Sequence, residues 1–210
     1  MNRIILTACF FVLAVSAKAQ LGISAGMNIS RYSYAEKLPD EDRKAILAYN
    51  FGLQYKKQLN EKLFLLPELS YTQKGTQVYY SYPIGYTGPM KNVNTLSYLQ
   101  LTLPGVLAFP LSDEYDFEIG AGPYVAYLMK TKQKTEEFEG TSNTKGFAKG
   151  AFTKMDAGLY LTTGLRLGKK LGTYFRYDLG LTNINGTSGG PSVKNRNFSI
   201  GINWIFAESD

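Results

Sequence analysis

Residues Asp156–Thr182, DAGLYLTTGLRLGKKLGTYFRYDLGLT, carry the pattern that decides the fold. Ala157, Leu159, Leu161, Thr163, Leu165 and Leu167 alternate with Asp156, Gly158, Tyr160, Thr162, Gly164, Arg166 and Gly168. After a turn near Gly168–Gly172 the alternation resumes. Leu171, Thr173, Phe175, Tyr177, Leu179 and Leu181 then oppose Gly172, Tyr174, Arg176, Asp178, Gly180 and Thr182. A period of two marks strands rather than helices, and the short turn between them marks a hairpin. One face is oily; the other mixes glycine, small polar groups and charges of both signs.

The same alternation repeats on either side. Leu21, Ile23, Ala25, Met27 and Ile29 form one oily face, Tyr49, Phe51, Leu53, Tyr55 and Leu59 a second, and Leu63, Leu65, Leu69 and Tyr71 a third. Leu99, Leu101 and Leu103 follow, with Pro104 expected to mark a bulge or a change of register because proline cannot donate to a ladder. Phe117 to Met129 and Phe198 to Phe206 complete the set. The connections alternate between long and short. Long ones run from about Arg31 to Ala48, Gly75 to Thr95, Thr131 to Thr153 and Asn183 to Asn195, the first with a short helical turn expected around Asp40 to Ile46. Short turns lie near Asn60–Lys62, Pro110–Tyr115 and Gly168–Gly172. Eight strands with this asymmetry predict an all-β, eight-stranded antiparallel up-and-down transmembrane β-barrel, with tight turns and both termini in the periplasm and long loops outside.

The N-terminus reads as an export signal. Arg3 precedes an apolar run from Ile4 to Val15, and Ser16-Ala17-Lys18-Ala19 supplies small residues for cleavage after Ala19. The run is shorter than the roughly 20 residues a transmembrane helix needs. Residues 1–19 are therefore expected to be a signal peptide and 20–210 the barrel domain, placed in the Gram-negative outer membrane. The only cysteine, Cys9, leaves with the signal, so the remaining chain can form no disulfide. Arg3 and Lys18 leave with the signal too, so the net charge of +6 falls to 23 − 2 − 17 = +4, too small and dispersed for nucleic acid.

The face chemistry separates a membrane barrel from its main competitor, a soluble periplasmic lipocalin-like barrel binding an apolar ligand. A soluble barrel turns its large apolar side chains inward, whereas a small membrane barrel turns them toward lipid. The non-oily face carries Lys56, Glu68, Lys74, Glu118, Asp156, Arg166, Arg176 and Asp178. A pore lining would use such charges, but structural pairing across the lumen is the simpler expectation, since an unpaired buried charge costs several kcal/mol. Glu118, Asp156, Arg166 and Arg176, on neighbouring strands, are the leading members, with Glu68 and Asp178 beside them. The chain has no histidine, and the residues after the signal hold no cysteine, which excludes Ser–His and Cys–His nucleophile pairs and the usual zinc site. No catalytic residue, metal or cofactor is assigned.

Tyr79, Tyr80, Tyr82 and Tyr86, interleaved with Pro83, Gly85 and Gly88, form a candidate loop contact, although ordinary packing tyrosines would read the same way. The stretch Lys130 to Lys149 reads as a solvated extracellular loop whose lysines could also meet lipopolysaccharide phosphates.

The last strand, Ser199-Ile200-Gly201-Ile202-Asn203-Trp204-Ile205-Phe206, resembles the C-terminal assembly signal of outer-membrane barrels, with Gly201, Trp204 and Phe206 at the matching places and Ala207–Asp210 as a departure. More widely, Pro67-Glu68-Leu69-Ser70-Tyr71, Tyr98-Leu99-Gln100-Leu101-Thr102-Leu103-Pro104, Gly120-Ala121-Gly122-Pro123-Tyr124 and Tyr177-Asp178-Leu179-Gly180-Leu181-Thr182-Asn183-Ile184 resemble the PorT-like outer-membrane β-barrel family of Bacteroidetes. The resemblance implies the fold and the compartment. The expected role is structural or interaction-based through extracellular loops, with a narrow porin-like channel as the alternative. Expected partners are outer-membrane lipid and lipopolysaccharide, the barrel-assembly machinery, and an unidentified protein at the loops.

Overall fold

The computed structural model describes residues 19–35, 41–81, 89–137, 140–145, 150–168 and 170–206. Among the described residues all regular structure is β: β1 (Ala19–Tyr34), β2 (Glu41–Lys44), β3 (Ile46–Gln58), β4 (Leu63–Leu65), β5 (Glu68–Tyr80), β6 (Met90–Thr102), β7 (Gly105–Pro110), β8 (Tyr115–Glu137), β9 (Gly140–Lys145), β10 (Met155–Leu167), β11 (Leu171–Gly180) and β12 (Val193–Ile205). Every pairing is antiparallel. The twelve segments make eight walls, because β2 runs on into β3, β4 into β5 and β6 into β7, while β9 folds back on the end of β8. The ring closes where β1 pairs with β12 on one side and β3 on the other.

The two prolines that split walls do so without shifting them. Gly105 still faces Ala121 in the register that sets Thr102 against Tyr124, and Leu65 faces Gly105 in the register that sets Leu69 against Leu101. Pro104 and Pro67 lack a donor, but their carbonyls accept from Leu66 at 3.0 Å and Tyr55 at 2.9 Å, so the ladder continues. The change of register expected at Pro104 occurs elsewhere, between Ser97 and Tyr98, where β8 carries the extra residue Met129.

The polarity is inside-out. Leu21, Leu53, Leu101, Ile119, Leu161, Phe175 and Ile200 lie on the outer wall, Leu53 with 63 % of its surface exposed, while Asn28, Lys74 and Asp156 inside are wholly buried. No described helix is long and apolar enough to cross a membrane, and the strands form the lipid-spanning surface instead. Trp204, Tyr115, Tyr127 and Tyr49 lie exposed near the limits of the oily band, the place of the aromatic girdles.

At the periplasmic end the turns are tight. The Asn60 side-chain oxygen accepts the N–H groups of Lys62 and Leu63 at 3.0 and 2.8 Å, and Gly168 takes φ +63° between β10 and β11. At the other end the walls outrun the membrane. Much of the expected loop sequence is strand: β1 reaches Tyr34, β5 reaches Tyr80, and β8 continues to Glu137 and returns as β9. The helical turn expected around Asp40–Ile46 is not formed over its described part. Glu41–Lys44 is strand β2, paired with Gln77–Tyr80 of β5, and Ile46 opens β3. An available ladder edge outweighs the weak helical preference of four residues, and Arg43 settles 3.7 Å over the Tyr34 ring.

Candidate functional site

Alternation sends every second side chain of each wall into a space eight strands wide, which side chains alone can fill. Near the periplasmic end, Lys56 of β3 reaches Glu118 of β8 at 2.9 Å. Arg166 of β10 also pairs with Glu118 and lies 3.8 Å from Asp116. Above them the Arg176 guanidinium (β11) grips both oxygens of Glu68 (β5) at 2.9 and 2.8 Å. The Gln54 amide donates to the same carboxylate at 2.6 Å, and the guanidinium lies 3.5 Å over the Tyr174 ring. A planar fork facing a carboxylate is the strong form of such a pair.

Higher still, the ammonium of Lys74 (β5) sits 2.9 Å from Asp178 of β11 and 3.6 Å from Asp156 of β10, with the Tyr124 ring centroid 4.3 Å away. Asp156 also accepts from Tyr124 at 3.0 Å, Asn195 at 2.9 Å and Thr182 at 2.9 Å. Between the Arg176–Glu68 pair and the Lys74 cluster lies a neutral web. The Asn28 oxygen accepts from Asn50 at 2.6 Å and Ser199 at 2.8 Å, its amide donates to Thr72 at 2.9 Å, and the Tyr174 hydroxyl donates to Asn50 at 2.8 Å.

That last contact depends on glycine. Tyr174, Gly201, Gly26 and Asn50 stand abreast on four successive walls, and the tyrosine lies across both glycines to reach the asparagine. A Cβ at either glycine would run into the Tyr174 hydroxyl.

The extracellular mouth is closed by the chain itself. Between β11 and β12 the Asn183 side-chain oxygen accepts the N–H groups of Asn185 and Val193 at 3.0 and 2.9 Å, and the Asn185 amide donates to Pro191 at 2.9 Å. The loop thus folded drives Ile184, fully buried, in among Tyr32, Leu96, Tyr98, Tyr124 and Tyr160. At the opposite end a pocket lined by Gln20, Gln54, Lys56, Glu118, Arg166 and Asn203 holds about 10 Å³, the room of one water.

All six charges singled out from sequence lie inside the ring, but mainly with cross-lumen partners. Glu118 and Arg166 join neighbouring walls; Arg176 pairs with Glu68, and Asp156 and Asp178 meet Lys74. Lys56 and Lys74, which the sequence placed on this face but not among the leading members, are the cations that complete the layers. The buried tyrosines 98, 124, 160 and 174 were visible only as inward-phase residues. The apolar cap was not legible at all, since Ile184 stands in a run with no alternation. Of the loop tyrosines, Tyr79 and Tyr80 are described at the end of β5, with Lys44 and Lys91 4.9 and 5.9 Å from the Tyr79 ring; Tyr82 and Tyr86 lie outside the described residues. Gly201, Trp204 and Phe206 lie on or just after β12, which closes the ring against β1. Among the described residues no group of His, Cys, Asp and Glu could hold a metal ion.

Among solved structures the chain is similar to several outer-membrane proteins. The attachment invasion locus protein Ail of Yersinia pestis is 14 % identical, with 90 % of this chain and 99 % of that one covered and a TM-score of 0.43. Neisserial surface protein A is 12 % identical over 91 % and 98 %, with a TM-score of 0.45. The outer membrane protein OprG of Pseudomonas aeruginosa is 13 % identical over 90 % and 96 %, also at 0.45. A search of curated proteins finds no match. The family described as the outer membrane protein beta-barrel domain matches residues 14–186, most of the sequence. With its closed ring of strands and its oily outer wall, this chain belongs to the outer-membrane β-barrel domain family.

Proposed function

We propose that this outer-membrane protein is a closed barrel that anchors and presents an extracellular β-structure for contacts, and does not conduct. The observation that carries this reading is the filled lumen. Three ionic clusters and a neutral web span it, Ile184 caps it, and the pocket at the periplasmic end has room for about one water. A passive channel needs a continuous wet path, and opening one here would strip buried charges of their partners. The paired charges then serve to hold the walls together. Catalysis forms no part of the reading, because the chain lacks histidine and has no cysteine beyond Cys9.

Within the family, the motifs at 67–71, 98–104, 120–124 and 177–184 support a place among PorT-like barrels of Bacteroidetes. Residues 1–19 act as the export signal, and Gly201, Trp204 and Phe206 as the element read by the assembly machinery. The loop tyrosines, Tyr79 and Tyr80 at the tip of β5 and Tyr82 and Tyr86 beyond it, offer contact chemistry to a protein partner. The test uses protein purified from outer membranes and added to planar bilayers. Its mature N-terminus should be Gln20 by mass spectrometry, and it should give no stepwise current. Reproducible single-channel steps would refute the closed-lumen reading.

A further inference from the structure

The bulge in β8 changes which of its side chains face outward. Up to Tyr127 the odd residues point to lipid: Phe117, Ile119, Val125 and Tyr127 are exposed, and Leu128 pairs with the buried, inward Tyr98. Met129 is then the extra residue, 59 % exposed, and beyond it Lys130, Lys132, Lys134 and Glu136 face Ser97, Thr95, Val93 and Lys91. Leu96 and Tyr98 of β6 are buried inward, so by alternation the odd residues from Lys91 to Ser97 keep the phase that Leu99 and Leu101 set below, although Ser97 itself is covered. A one-residue insertion inverts the faces of everything after it. Without Met129, three lysines would point into the mouth of the barrel. With it, they form an outward row that begins one residue above the oily band.

The row is only partly neutralised. Lys134 and Lys91 share Glu136 at 2.6 and 3.0 Å, and Lys44 pairs with Asp42 at 3.1 Å. Lys130 and Lys132 are exposed, and among the described residues neither has an ion-pair partner. Lys132 stands in the ladder opposite position 145 of β9, so the hairpin's backbone pairing fixes the height at which its side chain leaves the wall. Same-face neighbours two residues apart stand about 7 Å from each other, close enough to converge on one phosphate.

We infer that Lys130 and Lys132, at the root of the β8–β9 hairpin, form a site for the phosphate groups of an outer-leaflet glycolipid of the lipid A class. The height argues for a membrane lipid over a soluble anion: Met129, the last lipid-facing residue, is the immediate neighbour of Lys130, so the ammonium groups lie where the acyl region gives way to headgroups. Anionic headgroups attract such cations and salt screens the attraction. The site stands independently of whether the lumen conducts.

The test places the full mature chain in phosphatidylcholine nanodiscs and titrates diphosphoryl lipid A, with bound lipid read by native mass spectrometry. The double variant Lys130→Gln/Lys132→Gln should bind about thirtyfold more weakly. The control Lys62→Gln/Lys170→Gln, which removes equal charge at the periplasmic turns, should bind like the parent, and parent binding should weaken as ionic strength rises. Unchanged binding by the first variant, equal loss in both variants, or parent binding indifferent to salt would each overturn the site. The salt titration needs no variant and decides the matter even if a substituted chain fails to fold.

Discussion

At the scale of single residues, the interior is governed by the cost of isolating a charge. Arg176 and Glu68 are both buried and meet through two short hydrogen bonds, so removing one strands the other. Arg176→Ala should destabilise the folded barrel by about 3–5 kcal/mol, whereas Arg176→Met combined with Glu68→Met should recover most of the loss by removing both charges together. Unfolding in detergent, followed by the mobility difference between folded and boiled protein, measures both. A single variant as stable as the parent, or a double variant no better than the single, would show that the pair does not hold the lumen together. Which residues lie inside was readable from the period-two pattern. Which of them touch was not, because Arg176 and Glu68 meet across the ring and chain position says nothing of distances across a lumen.

At the scale of elements, the eight walls were legible because alternation survives wherever one face meets lipid and the other meets the lumen. It fails above the membrane, where both faces meet water. There the sequence suggested loops, and the structure forms a sheet of β9, β8, β6, β5 and β2. The four residues of β2 belong to this region and escaped the pattern for that reason, whereas the bulge at Met129 sits at its lower edge and Ile184 lies in an irregular, buried run that has no alternation to read. Its ladder is tied by side chains such as Glu136. Hydrogen bonds from Lys134 first and Lys91 next lower the carboxyl below its ordinary range, and the bond to Glu136 raises Lys91. A lowered carboxyl contributes to holding the hairpin above its ordinary range, near pH 4.3, and loses that contribution as pH falls through its folded value. NMR titration of the Glu136 carboxyl carbon should give a midpoint below about 4.3 that moves back up in Lys134→Gln. An unshifted midpoint would mean that the ion pairs do not persist in solution.

At the scale of the whole molecule, one inversion accounts for the rest: an oily exterior, a charged and hydrogen-bonded interior, and tight turns at one end with a tall sheet at the other. The inversion was an inference from sequence, since alternation alone does not say which face is inside, and the exposed leucines and isoleucines around a closed ring of buried charges give it direction. The chain carries its own reporter. Trp204 is the only tryptophan and stands on the outer wall of β12, near the periplasmic limit of the band. In bilayers whose acyl chains carry bromine, Trp204 fluorescence should be quenched, most strongly with bromine close to the glycerol backbone, and should resist acrylamide in the water. Fluorescence that ignores the brominated lipid and yields to acrylamide would contradict the lipid-facing wall, and with it the barrel's orientation.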